Sequence, residues 1–107
     1  MAKYMYQASY TVDGVRGLLK ESASARRKAI ESAIGALGGK VESFYYCFGK
    51  YDVVLTMDLP NNVSAAGLGM TVAASGMVHG KITPLLTVEE ADKALGVKVG
   101  YRGPGQP

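Results

Sequence analysis

The 107-residue chain predicts an α+β domain of order β-α-β-β-α-β, and three observations carry that expectation. Residues 39–60, GKVESFYYCFGKYDVVLTMDLP, hold two strand-like runs folded back at Gly49-Lys50-Tyr51-Asp52. Residues 3–10 alternate with period two, which is the strand signature. A helical stretch lies on each side of the hairpin, and each one stops at glycine, the residue that tolerates the left-handed turn at helix C-termini.

Taken in order, the first strand puts Tyr4, Tyr6, Ala8 and Tyr10 on one face and Met5, Gln7 and Ser9 on the other. Thr11 to Gly14 turns the chain, and residues 15–21 suit a short helical turn with Leu18 and Leu19 inward. Ser22 or Ser24 can cap the next helix, which runs to about Leu37 with Ala29 or Ile30, then Ala33, Ile34 and Leu37, as its apolar stripe. Gly38-Gly39 ends it.

Residues 41–48 follow as the second strand, large or apolar on both faces from Ser43 onward, so both faces are expected to be covered. The third strand, residues 52–59, puts Val53, Leu55, Met57 and Leu59 on one face, and Pro60 stops it. Asn62 is the expected cap of a helix over residues 63–75. Its Gly67, Gly69, Thr71 and Val72 are poor helix formers, so packing must hold it. Residues 77–86 make the fourth strand, with Pro84 marking a sheet edge or a strand end. Thr87 caps a last short helix with Glu89 and Glu90 at its favourable end. Residues 1–95 thus form one domain, and residues 96–107 a flexible Gly/Pro-rich tail.

This order is the split-βαβ, ferredoxin-like arrangement: a four-stranded antiparallel sheet with two helices on one face. The helices leave the other face bare. The tyrosines, Phe residues and methionines expected on that face need a cover, and the sheet of a second copy is the simplest one, giving a homodimeric α+β barrel or a larger homo-oligomer.

Composition sets the bounds on function. Net charge is +3, and the 12 Lys and Arg are scattered and not striped with aromatics, which argues against a nucleic-acid partner. No apolar run approaches a membrane span, and the N-terminus lacks the apolar region of a signal peptide. Cys47 is the single cysteine, so there is no intramolecular disulfide and no multi-Cys metal site; a reducing cytoplasm fits. No nucleotide loop or acyl-transfer triad is present, and no cofactor or metal is expected. Gly67-x-Gly69 falls inside a helix and is no phosphate loop.

The candidate residues each have two readings. Tyr51 and Asp52 are either turn formers, with Asp52 accepting backbone N–H bonds, or polar groups at a pocket mouth. His79, the only histidine, is either a polar strand residue or a general base. Together Tyr51, Asp52 and His79 are the candidate acid–base set of a cofactor-independent enzyme. Cys47 reads as a small apolar residue, with no neighbour in sequence that activates it as a nucleophile. Arg26, Arg27 and Lys28 are expected in the first turn of a helix, where positive charge opposes the macrodipole and calls for an anion, from a ligand or a subunit contact. Tyr4, Tyr6, Tyr10, Tyr45 and Tyr46 are an aromatic set suited to core, interface or a cleft for a planar ligand. Tyr6, Tyr45, Arg26 and Arg27 are therefore the candidate binding residues, for a small aromatic or anionic compound.

A wider pattern runs through the chain: Ala8-Ser9-Tyr10-Thr11, Gly17-Leu18, Arg26-Arg27, Gly38-Gly39-Lys40, Glu42-Ser43-Phe44-Tyr45, Phe48-Gly49-Lys50-Tyr51-Asp52-Val53-Val54, Ala74-Ser75-Gly76 and Leu86-Thr87-x-Glu89-Glu90. It resembles the GYD-domain family over roughly residues 2–95, with the Gly-Tyr-Asp signature interrupted by Lys50. The resemblance implies a ferredoxin-like fold of the dimeric α+β-barrel type and no established activity. Proteins on similar scaffolds include small monooxygenases, isomerases and ligand-sensing modules, and fold analogy does not choose among them. The preferred expectation is a homo-oligomeric small-molecule-binding or regulatory module. The alternative is a small monooxygenase- or isomerase-like enzyme acting on an aromatic or dicarbonyl compound.

Overall fold

The computed structural model describes residues 1–107. Four strands, β1 (Ala2–Tyr10), β2 (Lys40–Tyr46), β3 (Val53–Leu59) and β4 (Val78–Leu85), form one antiparallel sheet in the order β2-β3-β1-β4. The helices are α1 (Val12–Lys20), α2 (Ala23–Ala36), α3 (Asn62–Ala74) and α4 (Val88–Leu95). The architecture is α+β with the strand order of the ferredoxin-like fold. No helix is long and apolar enough to cross a membrane.

Local chemistry sets most boundaries. Ser22 and Thr87 cap α2 and α4 through their side chains, and Glu90 completes a capping box on α4. Gly38, Gly49 and Gly76 take positive φ at the turns where the sequence placed them. Three details differ from expectation. The helical turn after β1 is a full nine-residue helix, because Thr11 caps it by accepting from the Gly14 N–H. Asn61, not Asn62, caps α3; the Asn62 Oδ1 is taken by the Tyr4 hydroxyl, which donates to it at 2.6 Å. Because Ser22 is the cap of α2, Arg26 to Lys28 fall beyond the first turn, and the macrodipole conflict fades.

The core lies between the sheet and the α2/α3 layer, where Tyr4, Ile34, Met57 and Leu59 are fully buried with Tyr6, Ala8, Val53, Leu55 and Ala65. A bulge between Val41 and Ser43 sends Glu42 and Ser43 to the open side and returns Phe44 to the core side with Val41. Strict alternation would have set Val41 against Phe44. The aromatic groups expected on the bare face are instead under the helices: Tyr4, Tyr6 and Tyr10 of β1 lie on the face of Leu55 and Met57, and the bulge brings Phe44 and Tyr46 to the same side. The open face carries only Met5, Val54 and Tyr45 as larger apolar groups at its centre, among Gln7, Ser9, Thr56, Lys81 and Thr83. At one end of it Lys3 pairs with both Asp58, at 2.9 Å, and Glu42; these bonds, first that to Glu42 and then that to Asp58, raise the Lys3 pKa.

The chain is extended for its size. Its accessible surface is 7531 Å², whereas a compact monomer of 11.3 kDa exposes about 5,700 Å². The radius of gyration is 17.2 Å, against about 13 Å for a compact domain of this length.

Candidate functional site

Between the α1/α2 side and α3, above the central strands, lies a cavity of about 420 Å³. The sheet supplies its floor through Tyr6, Ala8, Tyr10, Phe44, Val53 and Leu55. Leu18 comes from α1, Ile30 from α2 and Val72 from α3, so each helix contributes one branched apolar side chain. The volume falls within the range of small-molecule sites, and the lining is mainly apolar.

Two close approaches shape the cavity. Gly14 lies where an added Cβ would be 2.0 Å from the Met77 carbonyl oxygen, so α1 can sit against the turn that leads into β4. Gly80 leaves the room that the Tyr6 ring fills; a Cβ there would be 2.1 Å from Tyr6 Cε1. Burial raises the Tyr6 pKa.

The polar groups gather at one corner. Arg26 is half-buried, lines the cavity and has no ion-pair partner. Tyr10 lines the same wall, and its pKa is pushed up to about 12 by burial, then by the neighbouring Tyr46 and Asp52, against the opposing pull of Arg26. Tyr46 donates from its hydroxyl to the Ala23 carbonyl at 3.1 Å, tying the corner to the start of α2. Glu21, exposed, is the one carboxylate in the lining.

The hairpin loop buttresses this corner from outside. Asp52 Oδ2 accepts from the Tyr10 N–H at 2.8 Å, and the Asp52 N–H donates to the Ala8 carbonyl at 2.8 Å. The Ser9 hydroxyl donates to the Lys50 carbonyl at 2.7 Å. Lys50 Nζ lies 5.6 Å from the Tyr51 ring centroid. The Gly49-Lys50-Tyr51-Asp52 segment is thus a clamp on the end of β1, with Asp52 spent on a backbone N–H. A family model for the GYD domain matches residues 4–95. The chain belongs to the GYD-domain family. No curated protein matches it.

In this GYD domain only some of the candidate residues meet. Tyr6 and Arg26 line one cavity. Tyr45 projects from the open face and is exposed, and Arg27 is exposed in an i,i+4 pair with Glu31 at 3.7 Å. Tyr51 and Asp52 are half-buried in the loop, and His79 is exposed opposite Ser9 on the open face; none of the three lines the cavity. Cys47 is exposed, its thiol donating to the Tyr51 carbonyl at 3.2 Å. No group of three or more His, Cys, Asp or Glu side chains is placed to hold a metal ion. Of the apolar walls, the sequence pattern marks Leu18 and Ile30 as inward-facing but nothing in it marks them, Val72 or Met77 as lining a cavity; Leu19, expected inward beside Leu18, is 79% exposed.

Proposed function

We propose that this GYD domain is a homo-oligomeric module, acting in the cytoplasm, that binds a flat, mainly apolar compound carrying one anionic or phenolic group. The observation that carries the reading is the cavity itself. Its apolar walls converge on a half-buried, unpaired Arg26 beside the Tyr10 hydroxyl. An unpaired cation at the rim of an apolar site costs desolvation that an anionic ligand offsets, and Tyr10, held protonated by its raised pKa, is a hydrogen-bond donor to the same group. Seventeen large apolar or aromatic side chains are exposed, which supports self-association as the source of further burial. The open sheet face, with Met5, Val54 and Tyr45 amid polar groups, is one surface for it.

Isothermal titration with three naphthalene compounds of one size tests the binding reading: 2-naphthoate, 2-naphthol and 2-naphthylmethylammonium. The anion binds tightest. Arg26→Gln removes the preference of the anion over 2-naphthol and leaves 2-naphthol binding within about twofold, whereas a charge-pair contribution of about 1.5–3 kcal/mol makes the lost preference at least tenfold. Equal binding of all three compounds, or an anion preference that survives Arg26→Gln, would sink the reading.

A further inference from the structure

Two parts of the chain lack the surface they are built for, and each has what the other lacks. The first is α3. Its thirteen residues include no charged side chain, and apolar groups sit all round it. Such a helix is normally buried on every side. Its inner face is, through Ala65 and Leu68, but Val63 and Met70 are 81% and 72% exposed. Between α3 and the edge strand β4 runs an open groove of about 390 Å³, floored by Tyr4, Gly80 and Ile82 and edged by Met70.

The second part is the arm that follows β4. The helix α4 is well formed, with a complete capping box, and aligns Val88, Ala91 and Leu95 on one face. Yet it buries no residue and makes no substantial contact with any strand or other helix. Leu86, Val88, Leu95, Val97, Val99 and Tyr101 are all between 64% and 85% exposed. An amphipathic helix of eight residues is too short to be stable in water without a surface to pack on.

We infer that the arm of one copy, α4 with residues 96–107, docks its apolar face along the α3–β4 groove of a second copy of this chain. The area is sufficient. Six side chains of this kind bring about 500 Å² of apolar surface. Two arms exchanged reciprocally, each covering a matching area on its host, total about 2,000 Å², within the range of stable interfaces. Charge does not oppose the contact, because Glu89, Glu90 and Lys93 lie on the far side of α4 from Val88, Ala91 and Leu95, Asp92 stands at the edge of that face, and α3 carries no charge of its own. The interface lies on the opposite side of the sheet from Met5 and Tyr45, so it is a second surface; it rests on the self-association proposed above but not on what fills the cavity.

Light-scattering mass measurement and cross-linking on the full chain test this. The wild type has a dimeric or larger mass, and Leu95→Glu and Met70→Glu each lower it while circular dichroism stays native. In a Cys47→Ser background, a tagged Met70→Cys chain mixed with an untagged Leu95→Cys chain gives a tagged–untagged product with a bis-maleimide. If Leu95→Glu keeps the wild-type mass, self-association stands and the arm inference fails. A monomeric wild type overturns both. Cross-linking only within one chain of the Met70→Cys/Leu95→Cys double variant, with none in the mixture, places the arm on its own domain and also overturns the inference.

Discussion

Gly14→Ala and Gly17→Ala are the same substitution three residues apart on one helix, and they should act in opposite directions. At Gly14 the new methyl meets the Met77 carbonyl oxygen at 2.0 Å and Tyr10 Cδ1 at 3.2 Å. The obstacle is backbone, so α1 must withdraw by about 1 Å to reach even the tightest contact a Cβ makes. That movement pulls on two bonds: the Thr11 N–H to Met77 carbonyl bond at 2.9 Å, and the Thr11 hydroxyl to Gly76 carbonyl bond at 2.8 Å. Overpacking costs about 1–3 kcal/mol, and weakening the two bonds adds up to about 1 kcal/mol each. A net loss of about 3 kcal/mol corresponds to a midpoint lowered by roughly 12–20 °C for a domain of this size. At Gly17 nothing lies within 4 Å of the new Cβ. There the lower backbone entropy of the unfolded chain and the better helix propensity favour the folded state by about 0.5–1 kcal/mol. Thermal unfolding followed by far-UV circular dichroism reads both. A Gly14→Ala protein within about 0.5 kcal/mol of wild type, or two variants shifted in the same direction, would show that the packing of α1 on the α3–β4 turn is misread.

Other consequences are smaller in scope. Tyr10 should ionise near pH 12, well above the ordinary value of 10.0, so a phenolate absorbance titration has a late component there that Tyr10→Phe removes, while the raised Tyr6 remains. Because the folded pKa of Tyr10 is raised, its contribution to stability is complete below pH 10 and is lost as pH climbs from there to about 12; a stability profile that rises over that window contradicts the assignment. Asp52→Ala leaves the half-buried Tyr10 N–H without its acceptor and should cost about 1–3 kcal/mol in urea unfolding, while an unchanged midpoint would show that the clamp is dispensable.

Much of this architecture was legible because local signals agreed with one another. Period two in residues 3–10 and 52–59, glycines at 38, 49 and 76, and the caps Ser22 and Thr87 each point to the same element order. The bulge at Val41–Ser43 was not legible. Nothing in Val-Glu-Ser marks an extra residue, and strict alternation there sets Val41 against Phe44 and Tyr46, which in fact share its face. The face of Tyr4, Tyr6 and Tyr10 is a separate matter, because period two groups them without saying which side the helices cover. The binding corner was half legible. Tyr6 and Arg26 have the right chemistry for a site, but an apolar cavity wall made of Leu18, Ile30 and Val72 looks in sequence like any core stripe. Asp52 and His79 drew attention as titratable groups, yet whether such a group faces a cavity, a backbone N–H or water is decided by tertiary placement. Here Asp52 faces a backbone N–H and His79 faces water.

Methyl NMR on protein labelled at Ile, Leu and Val, titrated with 2-naphthoate, tests the central claim most directly. The account predicts saturable shifts and ligand-to-methyl Overhauser contacts at Leu18, Ile30, Leu55 and Val72, which line the cavity, with Val54 on the open face and Val88 on the arm unmoved. Contacts at Val54 or Val88 with none at Ile30 and Val72, or no saturable shift at all, would contradict it.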